Sequence, residues 1–336
     1  MAAYIIRRLF GAVLLLLIVS AVTFAIFFLV PQLAGQTMDQ LAAQYVGKDA
    51  NPQSILAVKQ NLGLDQPLYV QYWHFIKAIF VGADYKFGPD ASHCDAPCFG
   101  YSFKRHVEVW PEIIARVPIT FSLAIGAAVI WVVSGVFTGV VSALKRGKAV
   151  DRIAMGVALA GVSLPIFFTG MLAMGVFTVQ WPLWDSIEYV PFTDNPAEWA
   201  WNLIIPWCSL AFLYAALYAR LTRAGMLETM GEDYIRTARA KGLTERVVIG
   251  KHGLRAALTP IVTIFGMDFG LLLGGAVITE TVFSFPGMGQ YAVKSVQEND
   301  LPIVMGVTLT AAFFIVFCNL LVDLVYAAID PRVRYS

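Results

Sequence analysis

The chain has 336 residues, of which 58% are hydrophobic and 14% are charged, and its formal net charge is +1 at pH 7. A soluble globular protein usually carries about 25% charged residues, so this composition excludes an ordinary soluble domain and indicates an integral membrane protein. The near-zero net charge gives no basis for nucleic-acid binding.

The first predicted membrane span is an uncharged run of 22 residues from Leu9 to Val30, which follows Arg7 and Arg8. At 1.5 Å per residue this run extends about 33 Å, which is enough to cross the hydrocarbon core of a bilayer. A cleavable signal peptide has a shorter apolar core of roughly 7–15 residues. We therefore expect a retained membrane anchor.

A polar segment of 85 residues, from Gln32 to Arg116, follows the first span. Within it, five apolar residues recur at helical spacing and predict an amphipathic helix. They are Tyr69, Tyr72, Trp73, Ile76 and Phe80. Such a helix can rest on the membrane surface or contact another protein, and we favour the membrane surface.

Two cysteines, Cys94 and Cys98, lie four positions apart in the same polar segment. Three interpretations are open, in this order of preference: a disulfide, two free thiols, or a metal site that includes His93 and His106. A disulfide is permitted on the extracytoplasmic side. No complete set of metal ligands is visible in the sequence, so no metal site is predicted.

Five further apolar stretches are predicted to cross the membrane, and Gly161 and Pro165 interrupt the second of these. They are residues 117–144, 153–181, 199–219, 256–283 and 301–322. Six spans in total place both termini on one side. With this topology the inner segments carry 16 of the 24 Lys and Arg residues. The positive-inside rule therefore predicts cytoplasmic termini.

A charged block from Gly231 to Arg255 separates the fourth and fifth spans. Acidic residues at its start favour a helix N-terminus, and Gly242 stands where a C-terminal glycine would end that helix. Tyr234, Ala238 and Gly242 are spaced i, i+4, i+8 and predict one face that another protein's surface can approach closely. From the pattern alone, a solvated loop that carries basic residues is an equally open interpretation.

The fifth span carries three glycines at i, i+4, i+8, namely Gly266, Gly270 and Gly274, and this spacing predicts close helix packing. It also carries Asp268 and Glu280, each of which should face a watery cavity or a partner because charge is costly in a bilayer. On one helix they are about 18 Å apart, so they do not form an acid–base pair. Asp268, near the middle of the span, is the better candidate for lining a transport path. Glu280 is predicted near the outer boundary, where an interfacial position is the simpler explanation.

Several segments resemble the permeases of binding-protein-dependent ABC importers, in the branch that handles dipeptides, oligopeptides and nickel. The run from Tyr234 to Gly242, YIRTARAKG, is similar to the "EAA" loop of these permeases, and HGLR and ALTP follow it at 252–255 and 257–260. The segments at 5–9 and 19–24 resemble the opening of the first, B-type, peptide permease. Further matches occur at 61–68, 274–289, 319–323 and 330–332.

The sequence departs from the family pattern at three positions. Arg236 and Thr237 stand where the general motif has Glu and Ala, a substitution that is normal for the peptide branch. Asp268 stands where an uncharged residue would be expected.

The resemblance implies an all-α integral membrane protein with six transmembrane helices of the type I ABC importer permease fold. The expected organisation is a transmembrane helix at 1–31, an extracytoplasmic segment with the amphipathic helix at 32–115, a permease core at 116–328, and a cytoplasmic tail at 329–336. Within the core, a coupling helix is expected at about 232–250.

The implied function is that of a permease subunit in the plasma (inner) membrane that moves di- or oligopeptides inward. The implied partners are a second permease, two cytoplasmic ATPase subunits or domains, an extracytoplasmic substrate-binding protein, and membrane lipid. The residues expected to couple to the ATPases are Tyr234, Arg236, Thr237, Ala238, Arg239, Lys241 and Gly242.

Catalytic motifs are missing from the sequence. The chain has no GxxxxGK[ST] phosphate-binding loop, no HExxH and no GxSxG, so we predict no catalytic site and no bound cofactor, with ATP used by partner subunits. An alternative cargo is nickel or another small solute. A different class, an ion-coupled secondary transporter, would need two related halves with ion-binding groups at midplane. An intramembrane enzyme would need a convergent catalytic set. Neither pattern is visible.

Overall fold

The computed structural model describes residues 2–47, 51–87 and 90–329, and the chain divides into two compact units. The first unit comprises Met1–Pro118, Leu273–Val277 and Pro286–Leu320, and the second comprises Ile119–Leu272, Ile278–Phe285 and Leu321–Ser336. The predicted cytoplasmic tail, apart from its first residue, lies outside the described residues, as does the DPR match at 330–332.

A long apolar helix begins the first unit. It consists of α1 (Ala2–Phe24), a π-helical stretch (Ala25–Leu29) and α2 (Val30–Leu33). Pro31 lies in the first turn of α2. The stretch Ile5–Leu33 is long and apolar enough to cross a membrane, and it contains the predicted first span.

The polar segment after α2 folds into three helices and two hairpins. The elements are α3 (Met38–Val46), α4 (Pro52–Asn61), α5 (Leu68–Val81), β1 (Ala83–Phe87) paired with β2 (Asp90–Cys94), and β3 (Tyr101–Ser102) paired with β4 (Val107–Glu108). Capping boxes start α3 at Thr37 and α4 at Asn51, because each cap side chain and the third helical residue satisfy one another's backbone N–H. Within this segment the sequence predicted only α5, and the two short hairpins are additions to a fold that is otherwise helical, as predicted.

Helix α5 has two apolar faces, where the sequence predicted one. Tyr72 turns inward, and its hydroxyl lies 2.8 Å from the Ser20 hydroxyl on α1. Tyr69, Trp73 and Phe80 are exposed on the other face. The predicted five-residue face is therefore divided between protein packing and an outward apolar stripe.

Cys94 and Cys98 are joined by a disulfide and are fully buried in the aromatic core of this unit. The two ring nitrogens of His93 contact the carboxylates of Asp84 and Asp95. Among the described residues, no group of three or more His, Cys, Asp or Glu side chains could hold a metal ion.

The C-terminal part of the first unit contains α14 (Met288–Gln297) and the start of α15 (Leu301–Ile329). Polar contacts tie the connection between these helices to the β3–β4 hairpin. The Ser102 hydroxyl donates to Asp300 at 2.5 Å, and the Arg105 guanidinium lies 2.7 Å from the Glu298 carboxylate.

The second unit is helical over most of its length. Its elements are most of α6 (Val109–Leu144), α7 (Ala149–Ser163), α8 (Ile166–Met174), a π-helical stretch (Gly175–Gln180), α9 (Pro196–Thr229), α10 (Asp233–Ala240), α11 (Glu245–Val247), a second π-helical stretch (Val248–Leu254), α12 (Arg255–Leu273), α13 (Val277–Val282) and the end of α15.

Within the described residues, five helices are long and apolar enough to span a membrane, and a bent pair of helices makes a sixth if the two are counted as one span. The five are Ile5–Leu33, Val109–Leu144, Pro196–Thr229, Glu245–Leu273 and Leu301–Leu324. The pair α7–α8 bends by 101° at Pro165, whose ring forces the preceding Leu164 into an extended conformation. With that pair counted as one span, the described residues hold a candidate helix for each of the six predicted spans, and the third is broken.

The fifth span ends ten residues earlier than predicted, because α12 ends at Leu273 and the chain resumes as the separate helix α13. Gly274 lies in the turn after α12, so the predicted three-glycine stripe does not continue to it. Gly266 does pack closely, because a Cβ at this position would lie 1.8 Å from Cγ2 of Val322 on α15.

Candidate functional site

Helix α10 is held to the rest of the second unit through one apolar face. Ile235 and Ala238 are buried, and they form a small cluster with Val248 and Met230. Met230 is the C-terminal cap of α9 and Val248 begins the π-helical stretch that leads into α12. The helix is therefore attached to the elements that precede and follow it.

This burial corrects the predicted face of Tyr234, Ala238 and Gly242. Ala238 points inward, and Gly242 lies beyond the end of α10 with φ +79. The helix ends because Gly242 adopts this left-handed conformation, which costs glycine little, directly after the capping residue Lys241. Of the three residues, Tyr234 alone is both helical and exposed.

The other predicted coupling residues are exposed, and several are paired within the segment. Arg239 donates to the Glu245 carboxylate at 2.7 Å, Arg236 to Asp233 at 3.2 Å, and the Thr237 hydroxyl to the Asp233 carbonyl at 3.0 Å. The first pair links α10 to α11.

Three exposed apolar side chains accompany these charges: Tyr234, Leu243 and Val247, with 45%, 40% and 38% of their surface accessible. Partial burial and, to a smaller extent, the nearby Glu232 charge raise the pKa of the Tyr234 hydroxyl, so this hydroxyl stays neutral. Sequence reasoning missed Leu243 and Val247. Their i, i+4 spacing among charged neighbours was the signal that could have identified them.

The π-helical stretch after α11 anchors this region to the long helices. Ile249 and Leu254 pack against a cluster formed by Ala143 of α6, Met226 of α9 and Ala257 of α12. Buried apolar contacts therefore connect the segment that follows α10 to three candidate membrane helices.

A buried ion pair lies near the same ends of α6, α7 and α9. Asp151 of α7 accepts two hydrogen bonds from the Arg223 guanidinium, at 2.7 and 2.9 Å. It also accepts from the Ser142 hydroxyl at 2.5 Å and the Gly147 backbone N–H at 2.8 Å. Sequence reasoning treated this region as a basic turn and missed the pair, since residues 72 positions apart carry no local signal.

Asp268 lies in the middle of α12 beside aromatic rings. The Tyr218 hydroxyl of α9 donates to its carboxylate at 2.9 Å, and Asp268 itself is half-buried. Trp131 of α6 stacks on Tyr214 at 4.7 Å between ring centroids, and it lies 6.2 Å from Tyr218 and 6.1 Å from Phe265. We call Trp131, Tyr214, Tyr218, Phe265 and Asp268 the Asp268 cluster.

Glu280 occupies a different environment from the one predicted. It is fully buried on α13 and accepts a hydrogen bond from the Thr120 hydroxyl of α6 at 2.8 Å. The Glu280 side chain is therefore enclosed by protein, and its predicted place near the outer membrane boundary and its role in the transport path stay predictions. The two predicted acids therefore lie on separate helices in separate surroundings.

Comparison with known proteins gives matches along the whole chain. Residues 135–335 match the model of the binding-protein-dependent transport system inner membrane component, and residues 1–124 match that of the N-terminal region of such membrane components. A Brucella abortus (strain 2308) protein, provisionally named as a peptide transport system permease protein, is 38% identical over 336 residues and covers 100% of both chains. The glutathione transport system permease protein GsiC of Escherichia coli (strain K12) has the same identity and coverage.

Among solved structures, a chain of the inward-facing MetNI methionine ABC transporter is similar to this one. It has a TM-score of 0.50 and 17% sequence identity, and the match covers 66% of this chain and 97% of that chain. This likeness supports the fold alone, which is that of the type I ABC importer permeases. The chain belongs to the family of binding-protein-dependent transport system inner membrane components.

Proposed function

We propose that this chain forms half of the translocation path of an ATP-driven importer that moves di- or oligopeptides inward across the plasma (inner) membrane. A second permease would complete the path, two ATPase subunits or domains would supply the energy, and an extracytoplasmic binding protein would deliver the cargo. The chain itself contributes no ATPase site in this proposal.

The observation that carries the proposal is the packing of α10. Its buried side, Ile235 and Ala238, is fixed to the ends of α9 and the π-helical stretch, while its other side is exposed and combines charge with apolar side chains. A short helix with this arrangement can dock into a groove of a cytoplasmic protein and pass that protein's movement to the spans. Tyr234, Leu243 and Val247 would provide the apolar contacts, and Arg236 and Lys241 the charged ones.

The orientation follows from charge. The predicted inner segments carry twice as many Lys and Arg residues as the outer ones, which supports cytoplasmic termini and a cytoplasmic α10. The same topology puts the disulfide-bonded segment between α2 and α6 outside, where a disulfide is chemically stable. Exposed Tyr69, Trp73 and Phe80 of α5 would then lie against membrane lipid.

The peptide cargo rests on the named relatives. Two proteins that match the full length of the chain are named for peptide and glutathione transport, and glutathione is itself a small peptide. Nickel or another solute is the alternative within the family. An ion-coupled transporter is not favoured, because the family works with a binding protein.

The coupling role is tested by Leu243→Asp in the complete importer. We expect the variant protein to insert normally and to lose most transport and most cargo-stimulated ATP hydrolysis, because a carboxylate would be buried in an apolar groove. The matched control is Leu183→Asp, an equally drastic change at an exposed position far from α10 in sequence. Wild-type transport in Leu243→Asp would refute the docking role.

The cargo is tested by uptake in cells that lack this chain. Labelled di- and tripeptides, glutathione and Ni²⁺ are compared before and after the wild-type gene is restored. Restored uptake of peptides supports the proposal, whereas restoration of Ni²⁺ uptake alone would replace it with the alternative.

A further inference from the structure

The residues of the Asp268 cluster differ in exposure. Trp131 and Tyr218 are fully buried, whereas Tyr214, Phe265 and Asp268 are half-buried. Tyr214 lies one helical turn before Tyr218 on α9, and Phe265 lies one turn before Asp268 on α12. The accessible part of the cluster thus combines a carboxylate with two aromatic residues, Tyr214 and Phe265.

This arrangement leaves the carboxylate incompletely compensated. Within the part of the chain that the structure describes, Asp268 accepts one hydrogen bond from a neutral donor and forms no ion pair, although it lies in a helix that is apolar enough to span a membrane. Asp151 also lies in a candidate span, but its charge is compensated by the Arg223 guanidinium and by hydrogen bonds from Ser142 and Gly147. A carboxylate at membrane depth is stabilised by a cation or by water in a cavity.

The surrounding rings favour a particular kind of cation. Aromatic faces attract ammonium groups through their quadrupole, and an ammonium also forms charge-assisted hydrogen bonds with a carboxylate. We propose that the Asp268 cluster is a binding site in the transport path for the primary ammonium group of the cargo, which in a peptide is the free N-terminus. The inference rests on the proposed function and extends it, since it names the chemical group that this chain itself recognises.

The plain alternative is that Asp268 serves only to hold α12 to α9 through Tyr218. The variant Asp268→Asn distinguishes these two roles. Its amide oxygen can still accept the hydrogen bond from Tyr218, but the negative charge that would bind an ammonium group is lost. Asp268→Glu keeps the charge. The matched control is Met267→Leu, an uncharged change at the exposed neighbouring position.

The experiment measures uptake of two labelled probes by the complete importer: a dipeptide with a free N-terminus and the same dipeptide with its N-terminus acetylated. The quantity compared is the ratio of free to acetylated uptake for each variant. A binding protein can prefer a free N-terminus by itself, but that preference is the same for all variants. A change in the ratio therefore reports on this chain.

We expect Asp268→Asn to lower the ratio about tenfold, in line with the loss of one charge-assisted hydrogen bond, while Asp268→Glu and Met267→Leu keep the wild-type ratio. An unchanged ratio in Asp268→Asn, or an equal loss of both probes, would overturn the ammonium site and leave the proposed function standing. Absence of uptake of both probes by the wild-type importer would instead refute the peptide cargo, and the inference with it. If Asp268→Asn does not reach the membrane, Tyr214→Leu is the second test, and it too should lower the ratio.

Discussion

At the scale of single residues, burial distinguishes the ion pairs that stabilise the fold from exposed pairs that contribute little to stability. Arg236–Asp233 and Arg239–Glu245 are exposed, and such pairs contribute little to stability. Asp151–Arg223 is different, because the Asp151 side chain is nearly inaccessible and four hydrogen bonds converge on it. It joins three candidate membrane helices at one point.

Asp151→Asn should therefore destabilise the protein by about 1–3 kcal/mol, because it leaves the Arg223 charge partly buried without its partner. Thermal unfolding of the purified protein in detergent measures this. Arg146→Gln, which removes an exposed charge from the neighbouring turn, is the control and should leave the midpoint unchanged. Equal unfolding midpoints for Asp151→Asn and wild type would contradict a stabilising role of the Asp151–Arg223 pair.

The β1–β2 hairpin carries a pH-dependent contact at His93. Its Nδ1 lies 2.5 Å from the Asp84 carboxylate and its Nε2 lies 3.3 Å from that of Asp95. The hydrogen bond to Asp84 and the Asp84 charge raise the pKa of His93 above 6.5. Because the folded pKa exceeds the unfolded one, this contact stabilises the hairpin fully below pH 6.5 and is lost as pH rises through the raised value.

The imidazole titration of His93, followed by NMR on selectively labelled protein, should have its midpoint above 6.5. Asp84→Asn removes the negative charge and should lower that midpoint. A midpoint that Asp84→Asn does not change would show that the Asp84 pair is absent in solution.

At the scale of elements, hydropathy predicted where the membrane helices lie but not where they break. The α7–α8 bend was partly predictable, since Pro165 was visible as an interruption. The end of α12 also had a local signal, because the adjacent Gly274 and Gly275 favour a break and Gly275 adopts φ +134, but hydropathy alone extended the predicted span to Phe283. The β1–β2 hairpin and the burial of Ala238 also depend on tertiary contacts that no local pattern encodes.

The α12–α15 contact gives an element-scale prediction at Gly266. A Cβ there would lie 1.8 Å from Val322, so Gly266→Ala must push the two helices apart. Overpacking of this kind typically costs about 1–3 kcal/mol. Gly156→Ala is the matched control, because no atom lies within 4 Å of a Cβ at that helical position. Thermal unfolding should show a lowered midpoint for Gly266→Ala only, and equal midpoints would contradict the close contact.

At the scale of the whole molecule, docking on cytoplasmic ATPase subunits requires α10 to lie on the cytoplasmic side of the membrane. Ala240 is exposed at the end of α10, so a cysteine there can be labelled. In a variant with Cys208 and Cys318 replaced by alanine, we expect Ala240→Cys to react with an impermeant maleimide only after the membrane is opened. Labelling of intact cells from outside would show that α10 is extracytoplasmic and would contradict the proposed topology.

Co-purification from the native membrane in mild detergent tests whether this chain is half of an ATP-driven importer. Mass spectrometry of the retained proteins should identify a second permease of the same family together with ATPase subunits that carry phosphate-binding loops. Leu243→Asp should retain the second permease and lose the ATPases. Recovery of the wild-type chain alone, or only with copies of itself, would contradict the account.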